Sequence, residues 1–480
     1  MFAKENLLLT LKDKHRGVEQ LVARRAHNPK VAGSSPVPTT SKSRPVLRRL
    51  FLCIFFGRHA MALDTRSFSM VYEIGRKRFF ILSLTLAALF LVPHPVIAEQ
   101  LLYGIDRLEA SGCRELSGLR VGLITNTAGV TRGGEPDYTV MLRSGVKLKF
   151  LMAPEHGFSA DIEAGKKVSR MVIADTLPVY SLYGISKKPD IHQLRQIDVL
   201  VFDLQDIGTR CYTYISTMKN AMEACDEAGI AFMVLDRPNP VAPLRPEGFM
   251  LTPGYESFVG SVNIPFVHAM TVGEIALLLK EQHYKRLDLR VIPMQGYRKN
   301  RFADEYFGFT FKSPSPNIRT VDTAIVYPAT VFLEATTLSE GRGTDAPFMQ
   351  FGAPFIKSEE LAVALRKYEL PGVSFDTIVF QPRSGKFSGE RCQGMKISLT
   401  DRKAFSPFRT ATALLLELQH LYPDKIALDK GGKFFDNLAG TPLFREMIKK
   451  QLPLEMIMEE SHRQVEQFNR KNPAPFILYP

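Results

Sequence analysis

The sequence predicts an α/β fold: a Rossmann-like, mostly parallel sheet and a second, smaller α/β subdomain. Three observations lead to this prediction. Short apolar runs of strand length alternate with helical patterns between residues 120 and 235. These runs are almost continuously apolar, which is typical of parallel strands covered on both faces. Beyond about residue 321 this alternation gives way to loop-rich sequence. We therefore place the N-terminal subdomain at 99–322 and the C-terminal one at 323–480.

The first half contains a βαβ pattern. Between the third and fourth predicted strands, residues 212–228 have a helical pattern, and Gly229 follows as a C-cap. Repeats of such a unit build a doubly wound sheet. The four predicted strands are 120–125, 149–153, 198–202 and 230–235.

The second half is predicted from helix signals and shorter strands. Thr271 and Glu274 have the spacing of a capping box, which predicts that a helix begins there. A polar helical stretch is predicted at the C-terminus. The remaining predicted elements are loops at 327–333 and 341–348, helices at 358–368 and 407–421, and strands at 374–380 and 395–399.

The positive charge of the chain is concentrated at its N-terminus. Of 62 Lys and Arg and 49 Asp and Glu, residues 1–98 hold 16 and 5. The remainder is close to neutral, which argues against nucleic acid as a partner. Residues 22–40 also resemble a transfer-RNA gene translated as protein, so we predict that 1–98 combine a spurious extension with a signal peptide.

Residues 76–98 have the three parts of a secretory signal. Arg76, Lys77 and Arg78 precede the uncharged run 79–92, and small residues follow at 96–98. The run is shorter than the roughly 20 residues that span a bilayer, so we favour cleavage over the alternative of an N-terminal membrane anchor. The sequence predicts an exported protein, periplasmic or secreted, without stable membrane insertion after cleavage.

Several kinds of site have no sequence signal. Cys113, Cys211, Cys225 and Cys392 are widely spaced, so one or two disulfides are permitted but not required. The sequence contains no dinucleotide fingerprint, no P-loop, no nucleophile elbow and no zinc-ligand spacing. We predict no cofactor and no metal.

Polar side chains follow each of the four predicted strands. The carboxyl ends of parallel strands border the crevice in which open α/β sheets bind ligands, so we expect these side chains to converge there. They are Asn126 after the first strand, Glu155 and His156 after the second, Asp203, Gln205, Asp206 and Arg210 after the third, and Asp236, Arg237 and Asn239 after the fourth.

Structural alternatives exist for most of these residues. Asp203 or Asp206 could cap the following helix, and 236–240 could be a rigid turn rich in proline. Arg237 could form a structural salt bridge, and a lone histidine such as His268 is more often structural than functional. Glu155 beside an imidazole is harder to explain structurally, because burying both groups costs desolvation unless a substrate uses them.

Six motifs together resemble the NamZ family of exo-β-N-acetylmuramidases, over residues 101–480. The chain departs from the family pattern at Ala269 and Ala335, where that pattern favours glycine. The resemblance implies an active site in a cleft between the two subdomains. It also implies a glycoside hydrolase that releases N-acetylmuramic acid from the non-reducing ends of peptidoglycan fragments during cell-wall turnover. The motifs are 121–126, 154–158, 203–214, 235–240, 268–274 and 338–344.

Glycoside hydrolysis needs a proton donor and a group that stabilises an oxocarbenium-like centre. We predict Glu155 as the acid, oriented by His156, and leave Asp203, Asp206 and Glu334 as alternatives for the second group. An arginine is expected to bind the lactyl carboxylate of muramic acid. The predicted catalytic set is Glu155, His156, Asp203 and Asp206, and the predicted substrate-binding set is Asn126, Gln205, Arg210, Tyr212, Asp236, Arg237, Asn239, His268, Glu334 and Arg342.

Two other functions remain open from the sequence. The same cleft could belong to a non-catalytic protein that binds cell-wall sugars. A hydrolase of another cell-wall bond, an amidase or esterase, is disfavoured because the nucleophile elbow and the zinc spacing are missing. In each case the expected partners are peptidoglycan fragments, and the sequence leaves the oligomeric state undetermined.

Overall fold

The computed structural model describes the chain from Gln100 onward, with five short gaps. These residues belong to one compact unit. The predicted signal peptide, and the membrane anchor considered against it, lie outside the described residues. Within the described part, no helix has the length and apolarity needed to cross a membrane. The described ranges are 100–163, 171–173, 176–184, 186–428, 432–472 and 476–480.

A mostly parallel sheet forms the first half of the described chain, as predicted. Its seven strands have the order β3-β4-β2-β1-β5-β6-β7, and every neighbouring pair is parallel except β3 with β4. The short strands β3, β4 and β7 were not predicted. The strands are β1 Arg120–Thr125, β2 Lys147–Ala153, β3 Met171–Ile173, β4 Leu177–Ser181, β5 Val199–Asp203, β6 Ala231–Leu235 and β7 Leu289–Ile292.

Two helices of this half, α4 Tyr214–Ala228 and α5 Val272–Gln282, begin or end at predicted signals. Gly229 ends α4 with a φ of 67°, in the left-handed region that glycine adopts without strain. At the start of α5, Glu274 Oε2 accepts a 3.0 Å hydrogen bond from the Thr271 N–H, which confirms the capping box. The helices are α1 Gly104–Ala110, α2 Asp137–Arg143, α3 Ile191–Leu194, α4 Tyr214–Ala228 and α5 Val272–Gln282.

The strand order creates a crevice at the carboxyl ends of β1 and β5. From β1 the chain continues to β2 and β4 on one side, then returns to β5 on the other side of β1. Connections leave these two strands in opposite directions, and ligands of open α/β sheets bind at such a point. The segment that follows β2, with Glu155 and His156, lies at this same edge of the sheet.

The second half contains a small antiparallel sheet of order β8-β10-β9 and a layer of helices. The predicted strands near 374–380 and 395–399 are present as β9 and β10. The elements are β8 Gln350–Ala353, β9 Val373–Phe380, β10 Cys392–Leu399, α6 Val321–Thr330, α7 Ser358–Arg366, α8 Pro407–Leu421, α9 Gly432–Ala439, α10 Leu443–Lys449 and α11 Leu454–Lys471.

The predicted loop at 327–333 is wrong. Helix α6 runs through it and continues into a 3-10 turn, Val331–Ala335. Pro328 lies inside the helix, where a missing N–H and a ring clash cost about 3 kcal/mol. Nine of the ten residues of α6 are nevertheless buried, and this burial outweighs the cost.

The two halves share one apolar core. Phe266, which precedes α5, stacks on Phe332 of the 3-10 turn with ring centroids 4.7 Å apart. Phe408 of α8 packs edge-on against both rings. This shared core fixes the 3-10 turn, and with it Glu334, relative to the parallel sheet.

Candidate active site

A cavity of about 440 Å³ lies where residues of the parallel-sheet half and of the second half meet. This volume is within the range of small-molecule binding pockets. Its charged and imidazole side chains are Glu155, His156, Lys187, Glu334 and Arg342. Its aromatic side chains are Tyr183, Tyr212, Phe258, Tyr327, Phe348 and Phe434.

The turn after β2 places Glu155 and His156 on the cavity wall through an unusual backbone. His156 has a φ of 71° and Gly157 a φ of 74°, so two consecutive residues adopt the left-handed conformation. Such a conformation is costly for a residue with a Cβ and concentrates at functional sites. The imidazole Nδ1 donates a 2.7 Å hydrogen bond to the Ile162 carbonyl, which holds the turn. Burial lowers the pKa of His156, which favours the neutral imidazole.

Glu155 is held at the start of helix α4. Its Oε2 accepts a 2.7 Å hydrogen bond from the hydroxyl of Thr213, the N-cap residue of that helix. Both residues are buried and both line the cavity, so the carboxyl is positioned by the fold and still reachable by a ligand.

The cavity is also lined by a second carboxylate, Glu334, which belongs to a network of charges. The Arg342 guanidinium lies 2.7 Å from Glu334 and 3.2 Å from Glu340. Lys386 pairs with Glu340 at 3.2 Å and donates to three backbone carbonyls nearby. Burial raises the pKa of Glu334; Arg342 opposes this rise without cancelling it.

Aromatic rings form much of the remaining wall. Tyr212 packs edge-on against Tyr327, which packs in the same way against Phe348 at 4.7 Å. Tyr212 lines the cavity as predicted, whereas the nearby Tyr214 and Phe158 do not. Tyr214 is fully buried and donates to the Pro314 carbonyl, and Phe158 packs on Tyr138.

Asp203 and Arg237 lie away from the cavity wall. Arg237 donates from Nε and Nη2 to the two oxygens of Asp203, the second bond measuring 2.8 Å. Asp203 is 0 % exposed and Arg237 3 %, so neither is accessible to substrate. The structural salt bridge considered for Arg237 is confirmed. The pair joins the ends of β5 and β6, which corrects the expectation that Asp203 faces the cavity.

Three further predicted site residues do not line the cavity: Asp206, Gln205 and His268. Asp206 accepts a 2.7 Å hydrogen bond from the Gly208 N–H and lies 3.4 Å from His268 Nε2. Gln205 donates to the carbonyls of Asp206 and Pro238, both at 2.7 Å. These contacts shape the loop that leads to Tyr212. None of the three lines the cavity, which corrects the expected convergence.

Asp236 and Asn239 organise the turn after β6. Asp236 is fully buried and accepts from Thr271, Gly273 and Tyr479, and burial raises its pKa to about 6. Asn239 donates to the Met270 carbonyl at 2.8 Å and accepts from the N–H of Val241 at 2.9 Å. Both residues therefore have the structural role considered for this turn, not a place on the cavity wall.

Arg210 and Asn126 are occupied by internal partners. Arg210 is 1 % exposed and donates to the carbonyls of Phe249 and Ile264, at 2.6 and 2.8 Å. Burial lowers the pKa of Arg210 to about 10. Asn126 donates a 2.9 Å hydrogen bond to the Tyr214 hydroxyl. Neither side chain lines the cavity.

Five of the predicted site residues therefore meet at one cavity: Glu155, His156, Tyr212, Glu334 and Arg342. Sequence reasoning missed Lys187 and most of the aromatic wall, because these residues follow no predicted strand and belong to no recognised motif. The four cysteines of the described chain are free and buried. No cluster of three His, Cys, Asp or Glu side chains that could hold a metal occurs among the described residues.

A parallel-sheet α/β fold with two carboxylates facing one aromatic-lined cavity is an arrangement suited to glycoside hydrolysis. Comparison with known families is more specific. Models of the N-terminal and C-terminal parts of the exo-β-N-acetylmuramidase NamZ match residues 121–322 and 325–479. The chain belongs to the NamZ family.

Individual relatives agree with this assignment. The peptidoglycan β-N-acetylmuramidase NamZ of Bacillus subtilis is 42% identical over 379 residues, which are 78% of this chain and 91% of that protein. A crystal structure of a DUF1343 family protein from Bacteroides fragilis has a TM-score of 0.73 at 34% identity, and a second has 0.63 at 27%. Each alignment covers 79% of this chain and 99% of the other.

Proposed function

We propose that this protein is an exo-acting glycoside hydrolase that releases N-acetylmuramic acid from the non-reducing ends of peptidoglycan fragments. The observation that carries the proposal is that Glu155, in the turn after β2, and Glu334, in the 3-10 turn after α6, line the same cavity. Two carboxyl groups across one sugar-sized space are what glycosidic hydrolysis requires. The 42% identity to a peptidoglycan β-N-acetylmuramidase supports muramic acid as the released sugar.

Glu155 is the proposed proton donor to the leaving oxygen. Its hydrogen bond to Thr213 fixes the direction of the carboxyl, which matters because a general acid must lie within hydrogen-bond reach of the atom it protonates. His156, neutral and anchored through Nδ1, is proposed to keep the turn and the substrate in place. Its left-handed backbone directs the preceding carboxyl into the cavity.

Glu334 is the proposed partner that stabilises positive charge at the anomeric carbon. Arg342, 2.7 Å away, favours its carboxylate form against the desolvation that favours the neutral form. Positive charge that develops in a buried, low-dielectric site gains strongly from a fixed carboxylate. The buried Asp203 and Asp206 are assigned no contact with the reacting sugar.

We also propose that the protein is exported. This rests on the basic cluster 76–78, the uncharged run 79–92 and the small residues 96–98, together with a substrate that forms the cell wall. N-terminal sequencing of the protein recovered outside the cytoplasm tests the proposal. A mature chain that begins near residue 99 supports it, and a retained leader contradicts it.

The experiment for the activity is mass analysis of products from a defined disaccharide with N-acetylmuramic acid at its non-reducing end. The proposal requires release of free N-acetylmuramic acid. Saturable binding of the disaccharide without release would instead identify a sugar-binding protein that uses the same cavity. Cleavage of an amide or ester on the substrate would identify a hydrolase of another class.

A further inference from the structure

We propose that Lys187 binds the lactyl carboxylate that distinguishes N-acetylmuramic acid from N-acetylglucosamine. The inference rests on the proposed function and adds the residue that determines its sugar specificity. It replaces the arginine expected from the sequence. Arg210 and Arg237 are buried with internal partners and do not line the cavity, so neither can reach a ligand there.

The two cations on the cavity wall, Arg342 and Lys187, differ in whether nearby carboxylates already neutralise their charge. Arg342 already has Glu334 and Glu340 within ion-pair distance, and Lys386 with these three completes a balanced set of two positive and two negative groups. A ligand carboxylate at Arg342 would be a third negative group in a cluster that has only two positive ones. Lys187 has no carboxylate partner among the described residues, so an anionic ligand gains an uncompensated positive charge there.

Aromatic rings hold the Lys187 ammonium in place. Its Nζ lies 4.3 Å from the centroid of Phe258 and 5.8 Å from that of Tyr183. A cation over an aromatic face is attracted by the ring, which favours one position of a flexible side chain. The backbone is also anchored, because Asn220 donates a 2.9 Å hydrogen bond to the Lys187 carbonyl.

The lactyl group is chemically matched to the part of the cavity wall formed by Lys187, Phe258 and Tyr183. It carries a carboxylate and a methyl group on the same carbon. Lys187 supplies the charge, while Phe258 and Tyr183 supply apolar surface directly beside it, with their ring centroids 5.9 Å apart. A glucosamine sugar carries neither group and gains nothing from these contacts.

The neighbouring lysine provides a matched control. Lys188 is adjacent in sequence, but its Nζ is paired with Glu223 and Glu227, each at 2.8 Å, and it does not line the cavity. The substitutions Lys187→Met and Lys188→Met remove the same charge from neighbouring positions. Only the first removes a charge that faces the proposed ligand.

Titration calorimetry with free N-acetylmuramic acid and with N-acetylglucosamine tests the assignment without requiring turnover. Lys187→Met should weaken N-acetylmuramic acid binding about 10- to 100-fold, the usual contribution of a hydrogen bond to a charged group. Binding of N-acetylglucosamine should stay unchanged, Lys187→Arg should retain most of the discrimination, and Lys188→Met should behave as wild type. On a chromogenic muramide, the loss in Lys187→Met should fall mainly on KM.

Equal binding of N-acetylmuramic acid by wild type and Lys187→Met would overturn the inference, as would an equal loss for both sugars. Should Lys187→Met fail to fold, wild type alone decides: it must bind N-acetylmuramic acid more tightly than its lactyl methylamide, which lacks the charge. Failure of the proposed function has a different signature, namely no sugar released from the disaccharide while the calorimetric preference persists.

Discussion

The hydroxyl of Thr213 donates a 2.7 Å hydrogen bond to Oε2 of Glu155, and so joins the first turn of α4 to the turn after β2. The two residues are 58 positions apart in the sequence. The bond brings together the two features that create the site: a strained turn that presents the carboxyl, and a helix N-terminus that orients it. We infer that this contact positions the catalytic acid.

Thr213→Val removes that hydroxyl and keeps the side-chain shape. We expect kcat on a chromogenic muramide to fall about 10- to 100-fold with little change in KM, because the acid loses the contact that positions it while the cavity is retained. Thr213→Ser should restore most of the rate. Wild-type kcat in the valine variant would show that Thr213 does not position the acid.

Arg237→Met tests whether the Asp203 pair is structural. The change leaves a carboxylate buried without its cation, so we expect the free energy of unfolding, measured by urea denaturation, to fall by about 3–5 kcal/mol. Adding Asp203→Asn should recover a substantial part of that loss. If Arg237→Met alone is as stable as wild type, the pair does not hold β5 and β6 together.

Arg342→Met is expected to change the pH dependence of activity. Burial raises the pKa of Glu334 above the ordinary 4.5, and Arg342 opposes this rise. Since Glu334 is proposed to act as a carboxylate, kcat/KM should fall as pH drops through this raised pKa. Removing Arg342 should raise that pKa further and move the acidic limb to higher pH. The pH–rate profiles of the two proteins check this; a limb that stays in place or moves to lower pH contradicts the assignment.

Ala269→Gly should stabilise the protein. Ala269 has a φ of 50°, a left-handed conformation that costs a residue with a Cβ about 1–2 kcal/mol. Glycine removes that cost but loses more entropy on folding, so we expect a net gain of about 0.5–1 kcal/mol. Ala335, the other departure from the family pattern, ends a 3-10 turn and has no positive φ. Ala335→Gly should therefore destabilise the protein, and thermal unfolding of both variants distinguishes the two cases.

The sequence was sufficient to predict the four central strands of the parallel sheet, because these strands are almost continuously apolar and two of the helices beside them carry capping signals. Gly229 and the Thr271–Glu274 capping box act locally, and both are present as predicted. Helix α6 was missed for the opposite reason. Pro328 is a local signal against a helix, and only tertiary burial of the surrounding residues outweighs it.

The site was predicted only in part, because position at a strand end does not determine which way a side chain points. Glu155 follows β2 and Asp203 ends β5, so both lie at the same edge of the sheet. Glu155 lines the cavity, whereas Asp203 pairs with Arg237 and does not. The direction depends on partners distant in sequence, which no local pattern records. Lys187 was missed because its role depends on an aromatic neighbour, Phe258, 71 positions away.

The most direct test of the central claim is the turnover of Glu155→Gln on a chromogenic muramide, with circular dichroism confirming that the variant is folded. The amide keeps the shape of the carboxyl and can accept a hydrogen bond from Thr213, but it cannot donate the proton. We predict a loss of 10²-fold or more in kcat, the usual contribution of general acid catalysis. Near-normal turnover by the folded variant would contradict the assignment of Glu155 and the mechanism built on it.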